Sequence, residues 1–270
     1  GEGQFIMGSV PAIWAATSWG IEGKGAATAA LLLGLVAGGI WGAIPGILKI
    51  VRGLNEMIVS IMLNYVATLF MGYIYTLVLR DGSVPQTLPV PDATKLTRAI
   101  PGMRATTGLL IALALAVAIY YFLFYTSKGF QLRAVGLNPT ASRFNGFPIN
   151  KFILVSFIVS GAIAGMGGAA ELLGTQFRLM SGYGLGFGFD GVAIALIAQR
   201  NPIATVLVAY FFAVLRVGAT TMQVGAGVPT SVIEIIQALV IVFAVAGTAL
   251  VRLPEIQQLL VSRAAKKEEK

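Results

Sequence analysis

SKGFQLRAVGLNPTASRFNGFPINK, residues 127–151, is a basic island between two long apolar runs. It holds Lys128, Arg133, Arg143 and Lys151 and no acid. Lys and Arg beside membrane spans are retained on the cytoplasmic face during insertion, so the island reads as inside and orients everything around it. Within it, Gly136-Leu137-Asn138-Pro139, then Ala141 and Gly146, reads as turn, short helix, turn. Asn138 suits the cap, Pro139 the first helical position and Gly146 the stop. A short helix held on the cytoplasmic side is a docking element.

The rest of the chain supplies the membrane. Of its 270 residues, 57% are hydrophobic and 11% charged, with a mean hydropathy of +0.84. That leaves too little polar surface to cover a soluble globule, so the fold class is an all-α polytopic membrane protein. A net charge of +8 in a soluble domain would suggest nucleic acid. Here the basic residues gather in inter-helix loops and the tail, which membrane orientation explains, and no nucleic-acid partner is expected. The chain has no Cys and no His. This removes disulfides, thiolate and imidazole metal sites, and every Cys/His or Ser/His catalytic arrangement. The ordinary enzyme readings lose most of their parts.

A crossing needs about 20 apolar residues, and eight full or partial segments are read at 4–19, 26–48, 54–79, 107–126, 152–171, 184–199, 203–224 and 231–251. With the island inside, alternation puts 49–53, 199–202 and the tail inside too. That inner set is Lys49, Arg52, Lys128, Arg133, Arg143, Lys151, Arg200, Arg252, Arg263, Lys266, Lys267 and Lys270, which is 12 of the 19 basic residues. The segments 20–25, 80–106, 172–183 and 225–230 fall outside. The loop 80–106, with Pro85, Pro89, Pro91 and Pro101, reads as a stiffened, solvated connection whose cations suit an acidic partner. The tail 252–270 reads as a mixed-charge end.

Two segments are short and glycine-rich, and they hold matching places. Gly1-Glu2-Gly3-Gln4 opens 4–19, and Gly188-Phe189-Asp190-Gly191 opens 184–199. Each sets a carboxylate between glycines at a helix start, and each precedes two full spans running in opposite senses. Short, glycine-interrupted segments at equivalent places of an inverted repeat point to a transport path, although two chance acidic caps would look the same. The second copy has two spans, 107–126 and 152–171, before its short segment, whereas the first has none. Two spans in front are therefore expected, giving a parent of ten in two five-span repeats. Residues 1–79 are then the remainder of the first repeat and 107–251 the second, within a single transmembrane domain over 1–270. The opening GEGQFIMG has no charged region before its apolar stretch and does not read as a signal peptide.

Polar residues inside spans are candidates for function. Asn64 lies in 54–79, and Gln237 lies in the corresponding span of the second copy, one turn from Glu234. Each of the first two alternatively makes an interhelical hydrogen bond of about 1 kcal/mol. Glu234 sits near the outer mouth, Glu56 reads as an interface charge, and the role of Arg216 in 203–224 stays open. Gly34, Gly38, Gly42 and Gly46 recur every fourth residue, and Gly161, Gly165 and Gly168 do similarly; both stripes clear a helix face for close approach. Gly186-Phe187-Gly188-Phe189-Asp190-Gly191 satisfies a dinucleotide fingerprint without the βαβ unit that gives it meaning, and 20–25 lacks a phosphate-loop ending. The chain is not expected to bind ATP or any other cofactor.

Gly1–Gly8 in sequence, Ile44-Pro45-Gly46-Ile47-Leu48-Lys49 followed by Asn55-Glu56 and Ile61-Met62-Leu63-Asn64-Tyr65, Leu132-Arg133-Ala134-Val135-Gly136-Leu137-Asn138-Pro139, and residues 186–196 together resemble the permease subunit of ABC importers. The branch they resemble takes up nucleosides and, more distantly, simple sugars. The resemblance implies a second permease subunit, identical or homologous, two cytoplasmic ATP-binding subunits that hold ATP-Mg, an extracytoplasmic solute-binding protein, and a bacterial or archaeal cytoplasmic membrane. It implies that Arg133, Gly136, Leu137, Asn138, Pro139, Ala141, Arg143 and Gly146 form the element that couples to the ATPase. Family members usually begin upstream of Gly-Glu-Gly-Gln.

Substrate-path candidates are Glu2, Gln4, Asn64, Tyr65, Phe187, Phe189, Asp190 and Gln237, the three rings offering a face to a base. The chief alternative is a gradient-driven carrier, which also uses inverted repeats and broken helices. A membrane-embedded enzyme is weaker, because no nucleophile and base pair up by spacing.

Overall fold

The computed structural model describes residues 1–18, 24–98 and 105–227, with short pieces between 229 and 246. The calls on Glu234, Gln237, the segment 231–251 as a whole and the tail 252–270 lie outside the described residues. Helices dominate: α1 Glu2–Ser18, α2 Lys24–Arg52, α3 Glu56–Tyr73, α4 Thr107–Tyr125, α5 Ser127–Leu137, α6 Pro139–Phe144, α7 Ile149–Glu171, α8 Phe187–Ile197 and α9 Pro202–Ala226. Short π turns extend α3 through Val78 and α7 through Gln176. Five stretches are long and apolar enough to cross a membrane: Gly25–Arg52, Glu56–Val78, Thr107–Tyr125, Ile149–Gln176 and Pro202–Ala226. They coincide with five of the expected full spans. The two segments read as short, α1 and α8, are 17 and 11 residues long.

By contact the chain divides into two units, 1–189 and 190–270. In the first, α1 is the buried axis. Ile6, Ala12 and Ile13 are fully enclosed, and Leu172, Leu173, Met71, Leu179 and Tyr183 belong to the same cluster. A helix enclosed on nearly every side needs no strong polar face, which is why its composition reads as apolar all round.

The two glycine stripes predicted for close approach face one another. A Cβ on Gly38 would overlap the carbonyl of Gly161, and one on Gly165 would overlap the carbonyl of Gly34. Gly42 lies against Phe157 O, where a Cβ would come to 2.6 Å. The stripe reaches α1 as well, where a Cβ on Gly8 would enter the backbone of Gly165. Without a hydrophobic drive between helices in lipid, contact area at such small residues holds a bundle together.

Two expectations are corrected. The island is two helices, not one: α5 includes Gly136 and Leu137, so these residues are helical and no turn precedes Asn138. Lys151 and Asn150 already belong to the first turn of α7.

The loop 80–106 is also more than a solvated connection. Strands β1 Arg80–Asp81 and β2 Val84–Thr87 form an antiparallel hairpin, and the chain after it docks on the segment following α7. Thr87 N donates to Leu179 O at 3.0 Å, Val90 N to Phe177 O at 2.9 Å and Leu96 N to Leu173 O at 3.0 Å. Val90, Thr87 and Thr94 are buried as a result. Proline supplies no amide donor, yet Pro85, Pro89 and Pro91 alternate with residues whose amides are used. Arg178 meets Asp81 at 3.5 Å, and Lys95 lies 4.6 Å from the centroid of the Phe177 ring. Lys95 also holds the Asp92 carboxyl below the usual carboxylate range by hydrogen bonding and charge.

Candidate functional site

Two groups of residues hold the candidates, both within the first unit. One is the element α5–α6. The chain turns out of α4 at Thr126, whose hydroxyl donates to Phe122 O at 2.6 Å and accepts from Gly129 N at 3.0 Å. Gly129 is pressed against the Phe122 and Leu123 backbone, with no room for a Cβ. Arg133 lies over the Phe124 ring at 4.6 Å, tying α5 back to α4. Asn138 then caps α6, accepting from Ala141 N at 3.0 Å, with Pro139 in the first turn. Gly146 closes the element at φ +73°, a left-handed position that favours glycine.

These caps fix the backbone and leave the side chains outward. Leu137 is 83% exposed and Phe144 89% exposed. Gly136 has nothing near the position a Cβ would take. Arg143 and Lys151 line an open groove with Phe147, Pro148, Ile149 and Asn150. Among the described residues, no ion pair engages Lys128, Arg143 or Lys151. Two large apolar side chains and a set of uncompensated cations on a capped turn of helix make a surface built to be covered.

The other group surrounds the start of α1. Asn64 Oδ1, from α3, accepts from Gly3 N at 2.7 Å, doing from a neighbouring helix what an N-cap does locally. Trp41 of α2 reaches the same spot: a Cβ on Gly3 would lie 2.9 Å from both Trp41 Nε1 and Asn64 Oδ1. Glu2 packs against Gly188, where a Cβ would come within 2.7 Å of the Glu2 Cβ. Glu2 and Gln4 are buried, and Glu2 Oε2, Gln4 Oε1 and Trp41 Nε1 have no hydrogen-bond partner among the described residues. Buried polar atoms left open are costly and mark places where a ligand or water is expected.

An aromatic group adjoins it. Phe5 stacks on Tyr183 with centroids 5.8 Å apart and meets Phe187 edge-on at 5.4 Å. Tyr183 donates to Gly168 O at 2.7 Å and accepts from Ser9 Oγ at 3.0 Å. Burial pushes its phenol up, so it remains a donor at physiological pH.

The structure thus brings together Glu2, Asn64 and the glycine stretch before Asp190, with Gln4 and Phe187 close by on the same elements. It leaves Tyr65 and Phe189 exposed. Asp190 belongs to the second unit, where Arg216 pairs with it at 3.3 Å. Trp41, Phe5 and Tyr183 were not singled out in the sequence. Trp41 sits beside Gly42 in the α2 stripe, and a donor-bearing ring inside a small-residue run was the available signal. Glu56 pairs with Lys49 at 2.6 Å where α2 passes into α3, in keeping with an interface charge.

The chain is similar to known proteins over most of its length. A family model described as the permease component of a branched-chain amino acid transport system matches residues 2–245. The guanosine ABC transporter permease protein NupP of Bacillus subtilis is 37% identical over 257 residues, covering 92% of this chain and 73% of that protein. The glucose ABC transporter permease protein TsgB13 of Haloferax volcanii is 34% identical, covering 90% and 67%. The nucleoside ABC transporter permease protein NupB of Lactococcus lactis is 32% identical, covering 98% and 76%. No solved structure matches. An ATP-driven system, not a gradient-driven one, is what these relatives share, and the chain belongs to this permease family as a multi-pass transport subunit of an ABC importer rather than an enzyme.

Proposed function

We propose that this permease imports nucleosides, with simple sugars as the second possibility, by alternating access. Two ATP-binding subunits holding ATP-Mg drive it from the cytoplasmic side of a bacterial or archaeal inner membrane. A second permease subunit, the same or homologous, completes the pore, and an extracytoplasmic solute-binding protein delivers the solute. The observation that carries this reading is the capped, outward-facing α5–α6 element with Leu137, Phe144, Arg143 and Lys151 uncovered. Arg133, Gly136, Asn138, Pro139, Ala141 and Gly146 shape it, and closure of the ATPases moves it. Nucleosides come first because two relatives, at 37% and 32% identity, are named for guanosine and nucleoside transport.

The two five-span halves rock about a path lined by the short helices and their polar neighbours: Glu2, Gln4, Asn64, Tyr65, Phe187, Phe189, Asp190 and Gln237. Open acceptors on Glu2 and Gln4 and the open donor of Trp41 suit a hydroxyl-bearing solute in transit. A weak polar lining of this kind admits solute without retaining it.

The test is uptake in proteoliposomes carrying permease, ATPase and binding protein. ATP-dependent accumulation of guanosine over glucose is expected. Accumulation of glucose alone would replace the solute, and accumulation without the ATPase would overturn the mechanism.

A further inference from the structure

The excursion 126–148 leaves the membrane at the end of α4 and returns at the start of α7, and both ends are marked. In the last turns of α4, Tyr121 and Tyr125 are exposed and stack with ring centroids 5.4 Å apart. Amphipathic rings of this kind gather at the level of lipid headgroups. On the returning side, the apolar stretch Ile149–Gln176 is 28 residues long, about 42 Å at 1.5 Å per residue, against a hydrocarbon core of ~30 Å. The surplus sets the first turn of α7 among the headgroups as well.

At that level lies the open groove of about 330 Å³ whose lining joins Arg143 and Lys151 to Phe147, Pro148 and Ile149. A third cation comes to the same height. Helix α2 runs antiparallel to α7, with Gly34 against Gly165 and Gly46 against Phe157. Arg52, six residues past Gly46, therefore reaches the height of Lys151, six residues before Phe157. Among the described residues none of these three cations forms an ion pair, whereas Lys49 is matched by Glu56. Below the groove, Val155 and Val159 follow Lys151 at four-residue spacing on one side of α7, and both are exposed. Charge at the headgroup level thus continues into an apolar stripe that runs toward the bilayer centre. An acidic protein loop would match the cations and leave the stripe unused; a phospholipid matches both.

We infer that the groove between α6 and α7 holds the phosphate of an anionic phospholipid, with Arg143 and Lys151 on the phosphate and an acyl chain along Val155 and Val159. The lipid is anionic rather than zwitterionic, because unmatched cations gain nothing from a headgroup that carries its own ammonium. Leu137 and Phe144 lie outside the groove lining, so the lipid seats the base of α6 without covering the apolar side chains proposed above to meet the ATP-binding subunits. The site goes beyond the importer reading and rests only on the place of the chain in a membrane.

The test uses the assembled importer in phosphatidylcholine vesicles, with trace phosphatidylglycerol or phosphatidylcholine bearing a photoreactive diazirine on an acyl chain. Adducts on residues 151–162 are expected roughly tenfold more often with phosphatidylglycerol, given the attraction of paired cations for an anionic headgroup. Arg143→Gln with Lys151→Gln should bring that yield down to the phosphatidylcholine level, and Arg143→Lys with Lys151→Arg should keep it. Equal yields from the two lipids in the parent would overturn the site as ordinary lipid contact. A preference that survives the double glutamine variant would overturn the groove as its seat. Glycerophosphoglycerol, the same headgroup without acyl chains, should not compete; displacement of the lipid by it would overturn the acyl contact and leave a soluble phosphoester as the ligand. A short thiol-to-amine crosslink from Lys151→Cys to an ATP-binding subunit, without lipid preference, would overturn the inference in favour of protein. Lipid preference in a preparation that imports no guanosine would refute the nucleoside reading and leave the site standing, and uptake without lipid preference would do the reverse.

Discussion

The seam between α2 and α7 and the element α5–α6 use small and capping residues to opposite ends. In the seam, glycines at 34, 38, 42, 161 and 165 remove side chains so that two backbones touch. In α5–α6, Thr126, Asn138 and Gly146 hold a short backbone in shape while its largest side chains point away from the protein. The first arrangement fills its own contacts, and the second leaves Leu137 and Phe144 exposed. If α5–α6 is the docking element proposed above, a substitution in the seam acts on folding, whereas one at its exposed positions acts on transport with folding spared.

Gly38→Leu or Gly161→Leu should have the largest effect. The new side chain would enter a facing backbone carbonyl, and overpacking commonly costs about 1–3 kcal/mol or more where backbone must move. Loss of a monodisperse permease on size exclusion is expected, while Gly39→Ala, whose nearest neighbour would lie 3.4 Å away, should behave as the parent. A normal elution profile for Gly38→Leu would mean the seam is looser than these contacts require.

Next come Phe144→Asp and Leu137→Asp. Uptake should fall at least tenfold and ATP hydrolysis should no longer follow solute, with expression and melting temperature unchanged. A fall in melting temperature equal to that of the seam variants would erase the contrast.

Asn64→Ala is expected to lower uptake several-fold with assembly intact, because Gly3 N loses its acceptor at a buried helix start; undiminished flux would make Asn64 a packing residue. Asn138→Ala should cost about 1 kcal/mol of local helix stability, read as faster amide exchange confined to 138–146. The smallest effect belongs to Gly136→Ala. With open space around it and a helical position, a small rise in melting temperature at most is expected.

Much of this contrast is visible in residue order. Glycines spaced by four announce backbone contact because no other residue permits it, and Asn-Pro announces a helix start because the side-chain acceptor and the missing amide suit that position. The shortness of α1 and α8 followed from counting apolar residues. By contrast, α5 was missed because SKGFQLRAVGL carries two glycines, mixed polarity and no periodic face. It is held by Thr126, by the fit of Gly129 and by Arg133 on Phe124, contacts that composition does not encode. The docking of 84–96 was missed for a related reason. Prolines and polar residues read as loop, while the hydrogen bonds that bury Thr87 and Val90 come from residues about 90 positions later. Near the start of α1, Glu2, Gln4 and Asn64 were singled out by their cost in lipid, but that Trp41 and Gly188 complete the group depends on how four helices meet.

The most direct measurement is site-specific crosslinking from Phe144→Cys in the intact importer, with a short bifunctional thiol-to-amine reagent applied in inside-out vesicles. The expected result is a covalent adduct between permease and ATP-binding subunit whose yield changes between nucleotide-free and ATP-bound states. Absence of that adduct together with labelling of Phe144→Cys by an impermeant reagent from the extracytoplasmic side would contradict the assignment of α6 as the drive element.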